Sequence, residues 1–99
     1  MPAVSRIGDL ISTGHACDGT APIGEGSSTV FANGIGVARQ GDAIAPHTIL
    51  SGIICVPHSA VVNQGSSTVF ANGIPLARVG DSADLGSIIQ GSPTVFAGP

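Results

Sequence analysis

The 99-residue chain has no lysine, tryptophan or tyrosine, and only 9% of its residues are charged. Three basic residues face six acidic ones, for a formal net charge of -3. A chain without a basic surface has nothing with which to neutralise phosphates, so nucleic acid is excluded as a partner. Long hydrophobic runs are also missing. Hydrophobic residues make up 42% of the chain but come in short stretches, none near the roughly 20 apolar residues of a membrane span. The N-terminus carries neither the basic segment nor the apolar core of a signal peptide. We therefore expect a chain made and kept in the cytoplasm unless a machine carries it out. Low charge combined with many β-branched residues argues against disorder, and the length fits one domain over residues 1–99.

What is present is glycine, proline and repetition. Fifteen glycines and seven prolines are many for a globular chain of this size. The segment Gly26-Ser27-Ser28-Thr29-Val30-Phe31-Ala32-Asn33-Gly34-Ile35 recurs unchanged from Gly65 to Ile74 and returns, shortened, from Gly91 to Gly98. A second pattern, Arg-x-Gly-Asp, stands at Arg6–Asp9, Arg39–Asp42 and Arg78–Asp81. The only phenylalanines, Phe31, Phe70 and Phe96, and the only basic residues, Arg6, Arg39 and Arg78, all occupy repeat positions.

Each full unit, Thr29 to Asp42 and Thr68 to Asp81, reads as strand, Asn-Gly turn, strand. Thr-Val-Phe-Ala is rich in strand formers, and Asn-Gly suits a type I′ turn, whose two central residues need positive φ. The third unit is split between the two ends of the chain. The economical reading is an all-β fold: a closed ring of three short hairpins with pseudo-threefold symmetry, in which Thr94–Ala97 pairs with the segment near Ala3–Ile7. The glycine of each Arg-x-Gly-Asp is expected to take a positive φ or a bulge. Its Arg and Asp read as a structural corner.

The residues that break the symmetry carry the chemistry. All three histidines and both cysteines lie in two of the three connections between a corner and the next hairpin: His15 and Cys17 in Leu10–Glu25, and His47, Cys55 and His58 in Ala43–Gln64. The third, Ser82–Gln90, has neither residue type. Zinc takes four nitrogen or sulfur ligands in a tetrahedral shell. Cys55-x-x-His58 has a chelating spacing stiffened by Pro57, and His15 and His47 follow Asp9 and Asp42 at similar distances. The expected ligands are His15, His47, Cys55 and His58, holding one structural Zn2+. Cys17 in place of Cys55, a Cys17–Cys55 disulfide, and unliganded surface histidines are the alternatives; a cytoplasmic chain disfavours the disulfide. A structural zinc site is worth roughly 10–16 kcal/mol in small peptides, enough to order long glycine-rich connections. A zinc hydrolase is the competing function. It needs an open coordination position and a general base, for which Asp18, Glu25 and Asp84 are the spare acids. None of them stands in a motif such as His-Glu-x-x-His.

The combined pattern, Gly-Ser-x-Thr-Val-Phe-x-Asn-Gly followed by Ala-Arg-x-Gly-Asp, with Gly14-His15 and Cys55-Val56-Pro57-His58 between, resembles the PAAR-repeat proteins that sharpen the spikes of type VI secretion systems and contractile phage tails. The motif behind the family name is loose here: Gly36-Val37-Ala38-Arg39, Pro75-Leu76-Ala77-Arg78 and a degenerate Ala3-Val4-Ser5-Arg6. The resemblance implies a cone of short hairpins with zinc near its apex, held by three histidines and one cysteine. It also implies one copy docked by its base on a trimeric spike, VgrG-like or from a phage, with transient contact to a target membrane when the sheath contracts. On this reading the chain is not an enzyme, and alone it is a monomer. Longer relatives carry toxin or membrane segments, none of which is expected here.

Overall fold

The computed structural model describes residues 1–99 and contains strands but no helix. In chain order the strands are β1 (Leu10–Ser12), β2 (Thr20–Pro22), β3 (Phe31–Ala32), β4 (Ile35–Gly36), β5 (His47–Ser51), β6 (Ile54–His58), β7 (Phe70–Ala71), β8 (Ile74–Pro75), β9 (Ser82–Ala83) and β10 (Gly86–Ile88). All pair antiparallel. β3–β4, β5–β6 and β7–β8 are separate hairpins, and β2-β1-β10-β9 is a four-stranded sheet. The body is elongated, with extents of 41 × 23 × 22 Å.

The Asn-Gly turns form as expected. Asn33 and Asn72 both sit at φ 56°, followed by Gly34 at 76° and Gly73 at 74°. Asparagine tolerates this left-handed region and glycine enters it freely. The hairpin ladders are shorter than Thr29–Asp42 and Thr68–Asp81, because Thr29 and Thr68 belong to a local turn. The Oγ of Ser27 accepts from the amides of Thr29 and Val30, as does that of Ser66 from Thr68 and Val69, and that of Ser92 from Thr94 and Val95. Side-chain oxygens thus take amides that would otherwise extend a strand.

The third unit closes from the two ends of the chain, with Ala3 paired to Phe96 and Val4 N–H donating to the Val95 carbonyl at 2.9 Å. At the centre the three units join in a triangle of backbone hydrogen bonds. Ser5 donates to Ala77 (3.0 Å), Ala77 to Ala38 (2.9 Å) and Ala38 to Ser5 (2.8 Å). All three residues are fully buried. Three backbones can meet at one axis only if the side chains there are small, which accounts physically for Ala or Ser immediately before each Arg. Two apolar clusters adjoin this triangle. Val4, Val37, Leu76, Ala32, Ala71 and Ala97 fill the hairpin side. Ile11, Ile23, Ile44, Val62 and Ile88, with the smaller Ala21, Ala38, Ala77 and Ala83, fill the side toward the connections.

Each Arg-x-Gly-Asp is a corner, with glycine at φ 90° (Gly8), 89° (Gly41) and 94° (Gly80). The Asp carboxylate accepts from the backbone amide and from two guanidinium nitrogens of its own Arg. In the second corner Arg39 contributes N, Nε and Nη2 to Asp42 at 2.8–3.0 Å. The remaining guanidinium nitrogen reaches a neighbouring unit: Arg6 Nη1 to Asn33 Oδ1 and Arg39 Nη1 to Asn72 Oδ1. In the third unit Arg78 Nη1 donates to the Gly98 carbonyl instead, at 2.6 Å. Each Asp hydrogen bond raises the pKa of its Arg further, against a smaller opposing effect of burial. The corners are therefore fasteners between units as well as bends.

Candidate metal centre

The connections that the sequence presents as glycine-rich loops contain the longest strands of the molecule. β5 and β6 run antiparallel with His47 directly opposite His58, so the two imidazoles leave the same face. His15 lies just after β1, past Gly14 at φ 74°. A Cβ at Gly14 would collide with the Leu85 carbonyl, and one at Gly86 with the Ser12 carbonyl. This close approach of two backbones brings the turn between β9 and β10 against His15. That turn carries Asp84 in the left-handed region, at φ 53°, a conformation that aspartate accepts more readily than most residues.

These elements converge. Asp84 Oδ2 lies 2.8 Å from His15 Nε2 and 2.7 Å from His47 Nε2, and Oδ1 lies 3.1 Å from His58 Nε2. The ring centroids are 5.0–5.3 Å apart. The side chains are 7% (His15), 3% (His47), 27% (His58) and 3% (Asp84) exposed, so only His58 meets solvent appreciably. The donor atoms all lie within 4.8 Å of one another, and the group could hold a metal ion.

The hydrogen bonds on the far side of two rings sharpen this. His15 Nδ1 is 3.0 Å from the Ala16 carbonyl and His47 Nδ1 is 2.9 Å from the Ala45 carbonyl. A carbonyl only accepts, so both Nδ1 atoms must carry the proton. The neutral form of each ring then turns a lone pair at Nε2 toward a carboxylate oxygen. Acceptor against acceptor, at under 3 Å and away from water, requires positive charge between them: either a second proton on each ring or a cation. Backbone carbonyls that fix the Nδ1–H tautomer are the usual support of metal-ligating histidines. The residues present therefore fit a divalent metal.

In the absence of an ion, the electrostatics favour charge separation between the rings and the carboxylate. Burial works to lower the pKa of His47, but the Ala45 carbonyl and Asp84 together outweigh it and raise the pKa. Burial works to raise that of Asp84, but hydrogen bonds from His58, His15 and His47 outweigh it and lower it. Nearby, Asp18 is lowered by hydrogen bonds from the amide and hydroxyl of Thr48, which ties the first connection to β5.

Of the four sequence-predicted ligands, His15, His47 and His58 come together and Cys55 does not. Cys55 is bonded to Cys17, with 5.9 Å between their Cα atoms. The reason is strand geometry. A Cys-x-x-His chelate needs a turn, whereas Ile54–His58 is extended. In a strand, residues three apart point to opposite faces. Leu50, not a histidine, faces Cys55 across the hairpin. In place of the thiolate stands the carboxylate of Asp84, from the third connection, which has neither histidine nor cysteine. The signal that could have found it is its position: three residues after Asp81, in the third arm, on the side where the other two arms carry His15 and His47.

The family model described as the PAAR motif matches residues 13–84 and again residues 55–98. The two overlapping matches span both full repeats, the split third repeat's C-terminal half and every residue of the histidine–aspartate group. A comparison with curated proteins gives no match.

Proposed function

This chain belongs to the PAAR-motif family, and we propose that it acts as the tip of a trimeric spike, seated one copy to three subunits. The observation that carries this reading is the equivalence of the three hairpin units at the surface. Phe31, Phe70 and Phe96 are 56%, 53% and 50% exposed. Val30, Val69 and Val95 before them are similarly half-covered. A monomer with three near-identical apolar patches is complementary to the end of a threefold shaft, whose subunits each meet one patch. Patches of this kind mark contact surfaces rather than free ones. The spike would be VgrG-like or a phage central spike, and docking would cover its open strand edges.

At the connections the three arms differ, and there the histidine–aspartate group supports a structural zinc. Imidazole nitrogen and carboxylate oxygen both ligate zinc, and four such groups are the number a tetrahedral shell needs. When bound, the ion supplies cross-linking between arms. The chain's own residues orient the rings through Ala16 and Ala45. We propose that this stiffens the end that meets the target membrane as a sheath drives the spike forward. The group is nearly closed, and no feature of its geometry favours the hydrolase alternative.

The test is mass measurement of the complex formed with a candidate trimeric spike. One chain per trimer is expected. Replacing Phe31, Phe70 and Phe96 together by serine should weaken docking strongly. Covering half of one phenylalanine contributes about 1 kcal/mol, so the triple change should cost on the order of 100-fold in affinity. Three chains per trimer would overturn the cap reading.

A further inference from the structure

We propose that Asp84 is the fourth protein ligand of the metal, that the shell therefore contains no sulfur, and that Cys17 and Cys55 form a separate covalent fastening beside it. The inference rests on the reading above that the site holds a metal, and it changes what kind of site that is.

Asp84 is placed as a ligand and not as a bystander. It sits at the tip of the β9–β10 turn, and the turn is pressed against the first connection at Gly14 and Gly86, where no side chain fits. Its carboxylate is buried, and each oxygen is committed to histidine Nε2 atoms. No lysine or arginine approaches it; the three arginines are all spent on Asp9, Asp42 and Asp81. A buried carboxylate facing two Nε2 lone pairs needs positive charge between them; a divalent ion bound by all four groups supplies it and satisfies every one of them without placing extra protons on buried rings. Cys55 is directed to the other face of β6 and is held there by Cys17.

The two fastenings differ in reach. The disulfide ties the first connection to the second. The histidine–aspartate shell draws one ligand from the first connection, two from the second and one from the third, so it alone joins all three arms. Asp84 is the third arm's whole contribution. A nitrogen–oxygen shell also has a different chemistry from one that includes a thiolate. It takes borderline divalent ions such as zinc, cobalt or nickel without the preference for soft ions that sulfur confers. It offers no sulfur to the oxidation ladder that destroys thiolate ligands. Such a tip keeps its metal in the oxidising surroundings outside a cell, where a thiolate site is vulnerable.

The full chain, reconstituted with Co2+, tests this. Four-coordinate cobalt should show its visible bands without the sulfur-to-cobalt charge-transfer absorption of the near ultraviolet. The double variant Cys17→Ser/Cys55→Ser should hold one metal per chain with unchanged spectrum. Asp84→Asn should weaken binding by more than about 100-fold, beyond the loss from removing a residue that merely supports a ligand. Should Asp84→Asn fail to fold, Asp84→Cys decides: a ligand position gains the charge-transfer band, whereas a bystander position does not. A charge-transfer band in the unmodified chain, or metal lost on cysteine replacement and kept in Asp84→Asn, overturns the sulfur-free shell while leaving a metal-pinned tip intact. Absence of stoichiometric metal from the unmodified chain overturns both.

Discussion

Replacing Arg39 by alanine removes one of three equivalent corners, and its cost can be worked from the contacts. The guanidinium donates twice to Asp42 and once to Asn72. Asp42 is 4% exposed, so truncating Arg39 leaves a buried carboxylate with only the backbone amide of residue 39 as partner. Breaking a fully buried pair from one side costs about 3–5 kcal/mol. The Arg39 side chain keeps 15% of its surface in water, so solvent will reach the orphaned carboxylate and screen part of the loss. We expect about 2–3 kcal/mol. For a domain of this size each kcal/mol moves Tm by roughly 4–8 °C. The midpoint should therefore fall on the order of 10–20 °C in thermal unfolding followed by circular dichroism, with metal content held constant. Adding Asp42→Asn to Arg39→Ala removes the unpaired charge and should recover part of the loss. The matching changes at Arg6 and Arg78 should give similar values, because their Asp contacts superimpose in pattern. A fall of less than about 4 °C in all three, equivalent to under 1 kcal/mol, would refute the view that each corner depends on its buried Arg–Asp pair.

Two further outcomes follow from the backbone. Gly86→Ala would place a Cβ on the Ser12 carbonyl, forcing β10 away from β1; thermal unfolding should drop by at least several degrees, and metal retention should fall because Asp84 moves with it. Deleting Ser92–Pro99 removes the partner of Val4 and the carbonyls that Arg78 and Ser66 use; the truncated chain should be insoluble or unfolded, and a folded, metal-loaded monomer would show that the ring does not depend on this closure.

The repeated parts of this fold were legible because their residues act locally. Asn33-Gly34 and Asn72-Gly73 dictate turns through their own φ preferences, and Gly8, Gly41 and Gly80 dictate corners in the same way. The joining of the chain ends followed from counting half-units. The site was legible only in part. His15 and His47 stand at matching places in two arms, and their proximity follows once the ring is assumed. The side to which Cys55 points depends on whether Ile54–His58 is extended or turned, and Pro57 suggested a turn. The pairing of β5 with β6 in a hairpin decided it, because it holds Ile54–His58 extended. Asp84 was visible only as a spare acid, because the property that makes it matter is tertiary: the collision-tight packing of Gly14 against Leu85 that delivers its carboxylate to three rings.

The closed triangle of Ser5, Ala38 and Ala77 has a bearing on how such a molecule would be seen. A body whose lower half repeats three times can land on a threefold support in three ways, each related by a third of a turn, with contacts nearly alike. That degeneracy favours association by about RT ln 3, some 0.6 kcal/mol, before any contact is counted. It also means that the upper half, with its one disulfide and its single histidine–aspartate group, would point in any of three directions from one particle to the next. Images averaged with imposed threefold symmetry would keep the hairpins sharp and smear the β5–β6 hairpin into three faint copies. Sorting the particles by orientation about the shaft would restore it to one.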